Sequence, residues 1–372
     1  QSMADAIRYV PGVVTAQGEG NRDTAVFRGN ASTSDFFVDG IRDDVQYYRD
    51  FYNIESVEAL KGSNAMIFGR GGSGGIINRV TKQAQWSPVR EASITLGSWN
   101  NRRATADVGQ AINQDLAFRV TGMVENSDSF RDGVNIKRAG INPTFAIRAG
   151  QNTSVVVGYE HFNDERIADR GIPSFQGKPL VVGNNVFFGN AALSPTTSKV
   201  DALSASIDHD FGNGVTLRNR TRYADYDKFY QNVFPGAVNS TASSVAISAY
   251  NQDTQRKNFF NQTDLTFEVL AAGVKHKILT GLEIGQQTTD NLRQTGYFPS
   301  VGANATSINV AITKPYADGV TFRQSATDAN NHSVAKNVAI YAQDQIEFSP
   351  QWQAILGLRY DNFGIDFTNN RN

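Results

Sequence analysis

The sequence predicts an all-β membrane protein, a transmembrane antiparallel β-barrel with a small mixed α+β domain inside it. Three observations predict it. From about residue 86 to the end, apolar and polar residues alternate with period two. The connections between the alternating segments are short and long in turn. Residues 1–85 lack that alternation and cluster their glycines, which marks a separate domain.

The strands come first in the argument. In 116–124, Leu116, Phe118, Val120 and Val124 share one face, and Ala117, Arg119 and Thr121 the other. Similar alternation runs through 90–98, 102–109, 137–149, 153–162, 200–211, 214–229, 254–269, 273–288, 334–348 and 352–366. That makes about eleven strands. In 215–223 the register is sharp: Arg218, Arg220 and Arg222 lie on one face, and Val215, Leu217 and Tyr223 on the other. A soluble sandwich would bury the apolar face and expose the arginines. A membrane barrel turns the arginines into a wet lumen, because one facing lipid at the midplane costs ~2–4 kcal/mol.

The connections decide between these two. Short turns fall near 110–115, 149–152, 211–214, 270–273 and 349–351, and long polar connections near 126–136, 163–198, 230–252 and 289–333. After a short first hairpin at 98–102 the two kinds alternate strictly, the pattern of an outer-membrane barrel. Loops of ~35–45 residues are out of place in a compact soluble domain unless functional. Trp99, Tyr159, Phe211, Tyr223, Phe348, Trp352 and Tyr360 are expected at strand ends, as interfacial girdles. An odd number of strands cannot close a bacterial barrel, so the chain is expected to be part of a longer one.

Composition narrows the function. The 372 residues carry a formal net charge of −1, which gives no electrostatic reason to expect a nucleic-acid partner. The absence of cysteine excludes a disulfide scaffold, a thiolate zinc site and a cysteine nucleophile. No run of ~18 apolar residues predicts a transmembrane helix. No basic n-region with an apolar h-region opens the sequence, so any leader is expected to be already removed. The mean hydropathy of −0.38 does not argue against a membrane barrel, which is half polar by construction.

Few motifs suggest catalysis. Gly69-Arg-Gly-Gly-Ser-Gly74 matches the GxGxxG spacing, but a β-branched strand follows it where a dinucleotide site needs a helix. His161, His209, His276 and His332 are scattered, and no metal site is expected. No Gly-x-Ser-x-Gly elbow is present. Asp43-Asp44 reads as a solvated turn rather than a calcium site.

In 1–85, Ala6, Ile7 and Val10 have helical spacing, with Ser2 as cap and Pro11-Gly12 as stop. Short strands are expected at Ala25–Arg28, Phe36–Val38 and Ile54–Lys61. The charges in these apolar motifs (Arg28, Glu55, Glu58, Lys61 and Arg70) are expected to form a paired cluster where this domain meets the barrel, since unpaired burial costs several kcal/mol.

Four collinear segments then carry a resemblance. They are Phe27-Arg-Gly29, Phe37-Val-Asp-Gly40, Phe51-Tyr-Asn-Ile-Glu-Ser-Val-Glu-Ala-Leu-Lys-Gly62 and Ala65-Met-Ile-Phe-Gly-Arg-Gly-Gly-Ser-Gly-Gly-Ile-Ile-Asn-Arg-Val-Thr-Lys82. Together they resemble the plug of TonB-dependent siderophore receptors, and Tyr341-Ala-Gln-Asp-Gln345 and Gly357-Leu-Arg-Tyr-Asp361 are similar to barrel strands of that family. Lys61 departs from the family's more usual arginine, keeping the cation but not the bidentate fork. The resemblance implies that residues 1–85 are the C-terminal part of a plug domain. Residues 86–372 would then be the N-terminal half of a barrel of about 22 strands. The plug's N-terminus, its energy-coupling box and the later strands would lie outside the chain.

The resemblance also implies a function. A receptor of this family sits in the outer membrane of a Gram-negative bacterium, in contact with outer-membrane lipid. It binds a ferric siderophore and is energised by TonB and its inner-membrane complex. No bond is made or broken, so no enzyme is expected, and no cofactor, because iron arrives already chelated. The plug motifs argue against a passive porin or a barrel enzyme. In the family's plug order two loops face outward, here Gln17–Asp23 and Ile41–Asp50. They offer Gln17, Asn21, Arg22, Arg42, Gln46, Tyr47, Tyr48 and Arg49 as ligand-binding residues. Arginine charge and tyrosine faces suit a ferric catecholate, and the run 42–52 looks most like receptors for monomeric catecholates. The alternative cargo is a hydroxamate siderophore, cobalamin or a glycan.

Overall fold

The apolar residues of the first 81 positions can be buried only against one another and the barrel wall, and they fold as an inner domain. A computed structural model describes residues 3–32, 36–61, 68–69 and 74–371. Helix α1 (Met3–Ile7) ends earlier than its spacing predicts, because Pro11 disfavours a helical Val10. Strands β1 (Val13–Ala16), β2 (Thr24–Phe27) and β3 (Asn30–Ser32) form an antiparallel sheet. Strands β4 (Phe36–Val38), β5 (Ile41–Arg42), β6 (Ile54–Leu60) and β7 (Ile76–Thr81) form a second, in the order β5-β4-β7-β6 with β4 and β7 parallel. Met3, Ile7, Val13, Phe27, Phe36 and Ile77 make the core between them. The Asp39-Gly40 turn has positive φ at both residues, and a Cβ at Gly40 would collide with Arg220 of the wall.

The wall begins with β8 (Val89–Leu96), β9 (Arg102–Ala111), β10 (Leu116–Asp128), β11 (Asn135–Arg148) and β12 (Thr153–Ile167). A small hairpin, β13 (Ser174–Phe175) and β14 (Lys178–Pro179), lies in the next connection. Then come β15 (Pro195–Gly212), β16 (Val215–Val238), β17 (Ser244–Ala271) and β18 (Val274–Tyr297). Strands β19 (Ser307–Ala311) and β20 (Thr321–Arg323) join the sheet from a loop, against β17 and β18. The wall continues with β21 (Asn330–Ser349) and β22 (Trp352–Asn369). Every sequential wall strand pairs antiparallel with the next, giving one path from β8 to β22. Asn213-Gly214 and Ala272-Gly273, both with two positive φ angles, close tight hairpins on the short-turn side.

Several connections expected to be loops are strand. β10 runs to Asp128, β16 to Val238, and β17 starts at Ser244, so 230–252 is mostly a tall hairpin. Beyond the apolar band both faces are wet or covered by loops. The hydropathy alternation fades there while the backbone pairing continues.

The faces follow the parity of the sequence. Arg119, Thr121 and Met123 are buried toward the inner domain, while Val124 is exposed on the other face. Arg220 donates to the Asp39 carbonyl at 3.0 Å and to Asp264 at 2.7 Å, and Arg222 is 6% exposed. Leu203, Tyr223, Leu282, Ile340 and Leu358 are exposed outside. Phe211, Phe348 and Trp352 flank the short turns. Tyr159, Tyr223 and Tyr360 lie within strands rather than at their ends. In register, Tyr159, Leu203, Tyr223 and Phe259 form one outward row across four strands. From Phe211 to Leu203 is ~26 Å along the strand, or ~20 Å along the membrane normal at ~40° tilt, close to the height of a barrel's apolar band. Midway between the two aromatic levels, outward Asn219 and Asn261 exchange amide hydrogen bonds at 3.1 Å in each direction. Asn219 also donates to Thr263 at 2.8 Å and Asn261 to Thr221 at 2.7 Å.

A buried carboxylate ties the inner domain to the wall. Asp43 is fully buried, not a solvated turn. It accepts from Arg49 Nε at 3.1 Å, from the Tyr47 hydroxyl at 3.0 Å, from Arg79, and from the Tyr226 hydroxyl of β16 at 2.7 Å. Arg49 donates further to the carbonyls of Asp43, Val45 and Tyr47, and stacks on the rings of Phe36 and Tyr47. Burial alone would raise the Asp43 carboxyl, but Arg49, Arg79 and Arg222 outweigh it and hold it far below the usual carboxylate range. Around this latch, Asp50 pairs with Arg103 and Arg138, Asp44 with Arg256, and Asn53 bonds Asn142 and Glu160.

The charges expected to form the cluster do not. Among the described residues no ion pair joins Arg28, Glu55, Glu58 and Lys61 to one another. Arg28 is exposed at a turn with φ 48°. Glu55 reaches Arg119 of the wall at 3.6 Å, Glu58 accepts from Asn78 at 2.9 Å, and Lys61 donates to the Pro11 carbonyl. Arg70 lies outside the described residues. These side chains stand on the inner domain's rim, where water or nearby polar groups solvate them singly.

Two outcomes follow for the complete protein. Leu282→Arg, on the outer face, is expected to lower barrel stability by ~2–4 kcal/mol, and Gln345→Arg, on the lumen face, by almost nothing; denaturant titration in detergent measures both. Asp43→Asn leaves Arg49 and Arg79 without a counter-charge and is expected to destabilise the inner domain by ~3–5 kcal/mol, seen as faster amide exchange in β4 and β7. Because the folded value is depressed, the wild-type latch keeps full strength above pH ~4 and loses it only as pH falls toward that value.

Candidate functional site

The connection between β1 and β2 rises to the long-loop side because its sequence, Gln17-Gly-Glu-Gly-Asn-Arg22, supplies a knuckle. Gly18, Glu19 and Gly20 all have positive φ. A Cβ at Gly20 would run into the backbone of Asp169. Glu19 accepts from Arg170 at 2.7 Å and from the Tyr250 hydroxyl at 2.8 Å, and its carbonyl accepts from Tyr230 at 3.1 Å. Burial would raise the Glu19 carboxyl, but Tyr250, Arg170 and Arg22 prevail and lower it.

Two cavities flank the knuckle. One, of about 890 Å³, lies between residues 16–20, Tyr48 and the wall around Arg131, Arg138, Arg166 and Arg170. The other, of about 380 Å³, lies between Asn21, Arg22, Asp44, Gln46 and the wall residues Lys228, Tyr230, Tyr250 and Arg256. Their linings combine eight basic side chains with four carboxylates. Arg166 lies over the Tyr48 ring at 3.8 Å and Arg170 over Phe234 at 3.8 Å. Burial despite Arg49 raises the Asp23 carboxyl beneath the larger cavity.

The long loops roof this vestibule as folded structure. Leu180 and Phe188 from the 168–194 connection pack with Val233, Val245, Ile247 and Phe298. Arg131 pins the same connection through Asp169 at 2.9 Å and the carbonyls of Asn184 and Val186.

The residues chosen from sequence divide here. Gln17, Asn21, Arg22, Gln46 and Tyr48 line the two cavities. Tyr48 donates to the Gln17 carbonyl at 3.3 Å, and Arg22 bonds Glu19 at 3.4 Å and Asn21 at 3.2 Å. Tyr47 and Arg49 are not surface residues. They are 4% and 1% exposed, and although Arg49 forms part of a cavity floor, its guanidinium is committed to the Asp43 latch. Burial and Asp43 push the Tyr47 phenol up to about 12. Arg42 stacks over Phe37 at 5.0 Å within the inner sheet, where β5 pairs with β4. The wall half of the vestibule was missed: Arg166, Arg170, Lys228, Tyr230, Tyr250 and Arg256. Its signal was available on β16, since Lys228 and Tyr230 continue the lumen-facing parity of Arg218, Arg220 and Arg222.

Chemically, the vestibule presents guanidinium donors and aromatic faces, which suits an anionic ligand with planar aromatic groups. Among the described residues no group of three His, Cys, Asp or Glu is placed to hold a metal ion.

Comparison with known proteins agrees with this architecture. Residues 139–372 match the family "TonB dependent receptor-like, beta-barrel", and residues 1–76 match the "TonB-dependent Receptor Plug Domain". The chain is 28% identical to the probable TonB-dependent siderophore receptor PiuA of Acinetobacter baumannii, over 97% of this chain and 52% of that protein. It is 29% identical to the catecholate siderophore receptor Fiu of Escherichia coli K12, over 98% of this chain and 51% of that protein. The crystal structure of the Acinetobacter receptor superposes with a TM-score of 0.90 at 25% identity, covering 100% of this chain and 56% of that one. The open form of Fiu gives 0.85 at 26% identity, covering 98% and 57%. The chain therefore spans about half the length of the curated relatives it matches. With the barrel family matched over more than half of its residues and the plug family at its start, the chain belongs to the TonB-dependent receptors.

Proposed function

We propose that the complete receptor imports an anionic ferric siderophore, of catecholate type, across the outer membrane of a Gram-negative bacterium. TonB and its inner-membrane complex would supply the energy. The observation that carries this reading is the vestibule on the long-loop side, with its excess of basic side chains and its tyrosines. A ferric tris-catecholate is a strongly charged anion with aromatic rims. Clustered arginines in a walled cleft focus positive potential on it, and tyrosine rings add contact area without desolvating another charge. A hydroxamate chelate is near neutral and would gain little from those arginines. Iron stays inside the chelate as cargo, so no protein side chain has to ligate it. The similarity to Fiu, whose name is that of a catecholate receptor, supports the same cargo class.

Arg22 and Arg170 stand on opposite sides of the knuckle and are the arginines to remove. Losing each charge-assisted contact is expected to cost ~1.5–3 kcal/mol. The Arg22→Ala, Arg170→Ala receptor should therefore bind a ferric catecholate at least tenfold more weakly, as read by tryptophan quenching. A wild-type receptor that binds a ferric hydroxamate more tightly than a ferric catecholate would overturn the cargo class. Expression unaffected by iron starvation would point to cobalamin or a glycan.

A further inference from the structure

The eight basic side chains of the vestibule are not alike. Seven are arginines, and each is paired with a carboxylate: Arg22 and Arg170 with Glu19, Arg49 with Asp43, Arg131 with Asp169, Arg138 with Asp50, Arg166 with Asp164 and Arg256 with Asp44. The eighth is Lys228. It reaches into the smaller cavity from β16, beyond the outward row of Tyr223 and Phe259 and so outside the apolar band. It is 8% exposed. Among the described residues it has no ion pair, and its hydrogen bond to the Asn21 amide oxygen is long, at 3.5 Å.

The carboxylates around Lys228 are already committed. From the knuckle, Glu19 accepts from Arg170, Tyr250 and Arg22. From the 41–50 loop, Asp44 accepts from Arg256 at 3.0 Å and Gln287 at 2.9 Å, while Arg49 is bound to the Asp43 latch. Asp23 accepts from the Arg49 amide at 2.8 Å. From β12, Asp164 stands in the same lumen-facing row as Ser198 and Lys228, but Arg166 holds both its oxygens. On β16 itself, Tyr226 and Tyr230 give their hydroxyls to Asp43 and the Glu19 carbonyl, and the β17 neighbour Thr254 is uncharged. A buried ammonium without a counter-charge tends to give up its proton. Burial, followed by Arg22, Arg49 and Arg166 and only partly opposed by Glu19, brings the Lys228 amine down to about 7.

We propose that Lys228 stands as an uncharged amine in the empty vestibule and takes up a proton when an anionic ligand enters, so that each captured anion binds together with one proton. This rests on the reading that the cargo is an anionic chelate. The ligand's oxygens supply the counter-charge that the protein withholds. The proton comes from solvent and stays on Nζ, and no covalent bond to the ligand forms. A near-neutral chelate brings too little charge to hold that proton and gains nothing from Lys228. An arginine, always protonated, could not act in this way. The amine is more basic with the anion bound than without it. Affinity therefore rises as pH falls, by up to about tenfold per unit, and levels off below about 7. Burial raises the phenols of Tyr48, Tyr230 and Tyr250 away from this range.

The test titrates the complete receptor in detergent with a ferric catecholate at pH ~8, in HEPES and in Tris, whose ionisation enthalpies differ. Calorimetry should count about one proton taken up per ligand bound. Lys228→Met, close in shape, should bind more weakly and take up none. Heat-modifiable mobility reports that the variant barrel has folded. Wild-type binding without proton uptake, or undiminished uptake in Lys228→Met, overturns the proposal. A second measurement does not depend on the cargo. Acetic anhydride labelling of the empty receptor, read by peptide mass spectrometry, should modify Lys228 with half-maximal rate near pH 7; an ordinary lysine does so about three units higher. An amine that stays unreactive below pH ~9 overturns the uncharged state. Failure of the wild type to bind ferric catecholate would instead overturn the functional reading, and the labelling would still decide the state of Lys228.

Discussion

A carboxylate with no access to water has to be surrounded by donors, and Asp43 meets that requirement with groups from both parts of the protein. Arg49 and Tyr47 come from its own loop, Arg79 from β7, and Tyr226 from the wall. Removing any one leaves the others with unmatched charge or an unmade bond. The loop from 41 to 50 is therefore fixed to β16, and the knuckle at 17–22 is fixed in turn, because the Arg49 amide donates to Asp23 at 2.8 Å. The shape of the vestibule is thus set from beneath. An interaction that holds by geometry and charge together loses most of its strength when one partner moves. In the proposed transport cycle, that property would let the inner domain shift without unfolding the wall.

The wall was almost entirely legible in the sequence, and for a simple reason. Lipid on one side and a wet lumen on the other impose a period of two that nothing else in the chain disturbs. Leu116, Phe118 and Val120 against Ala117, Arg119 and Thr121 state it without ambiguity. The strand ends were not legible, because beyond the aromatic rows the environment is polar on both faces. β16 continues through Lys228 to Val238 on backbone pairing alone. The inner domain was recognised by the order of its motifs, but its charge pairing was misassigned. Glu55, Glu58 and Lys61 drew attention by standing inside apolar segments, yet they sit on its rim. Asp43 and Arg49 looked like loop charges and are its most buried ones. Sequence shows which residues are charged. Whether a loop folds inward depends on partners more than a hundred residues away, here Tyr226.

For the site the limit was of the same kind. Five residues of the two plug loops reach the cavities because loop order alone places them. Tyr47 and Tyr48 are adjacent and identical in type, but one points at Asp43 and the other at Arg166. No property of the dipeptide separates them. The wall half of the vestibule comes from strands β11, β12, β16, β17 and β18 and from the residues just before β11 and just beyond β12. It becomes a site only once the knuckle is in place.

The amide pair of Asn219 and Asn261 bears on how the barrel is made. In hydrocarbon, an amide without a partner costs several kcal/mol. Each of these two satisfies the other only when β16 and β17 are in register. A slip by one residue would reverse the faces of one strand against the other, parting the two amides and, where β16 is the strand that turns, bringing its arginines to the lipid. The hairpin thus has a clasp whose closure depends on correct alignment and on nothing else in the wall. Pairing the two strands before they enter the membrane would spare both amides that cost.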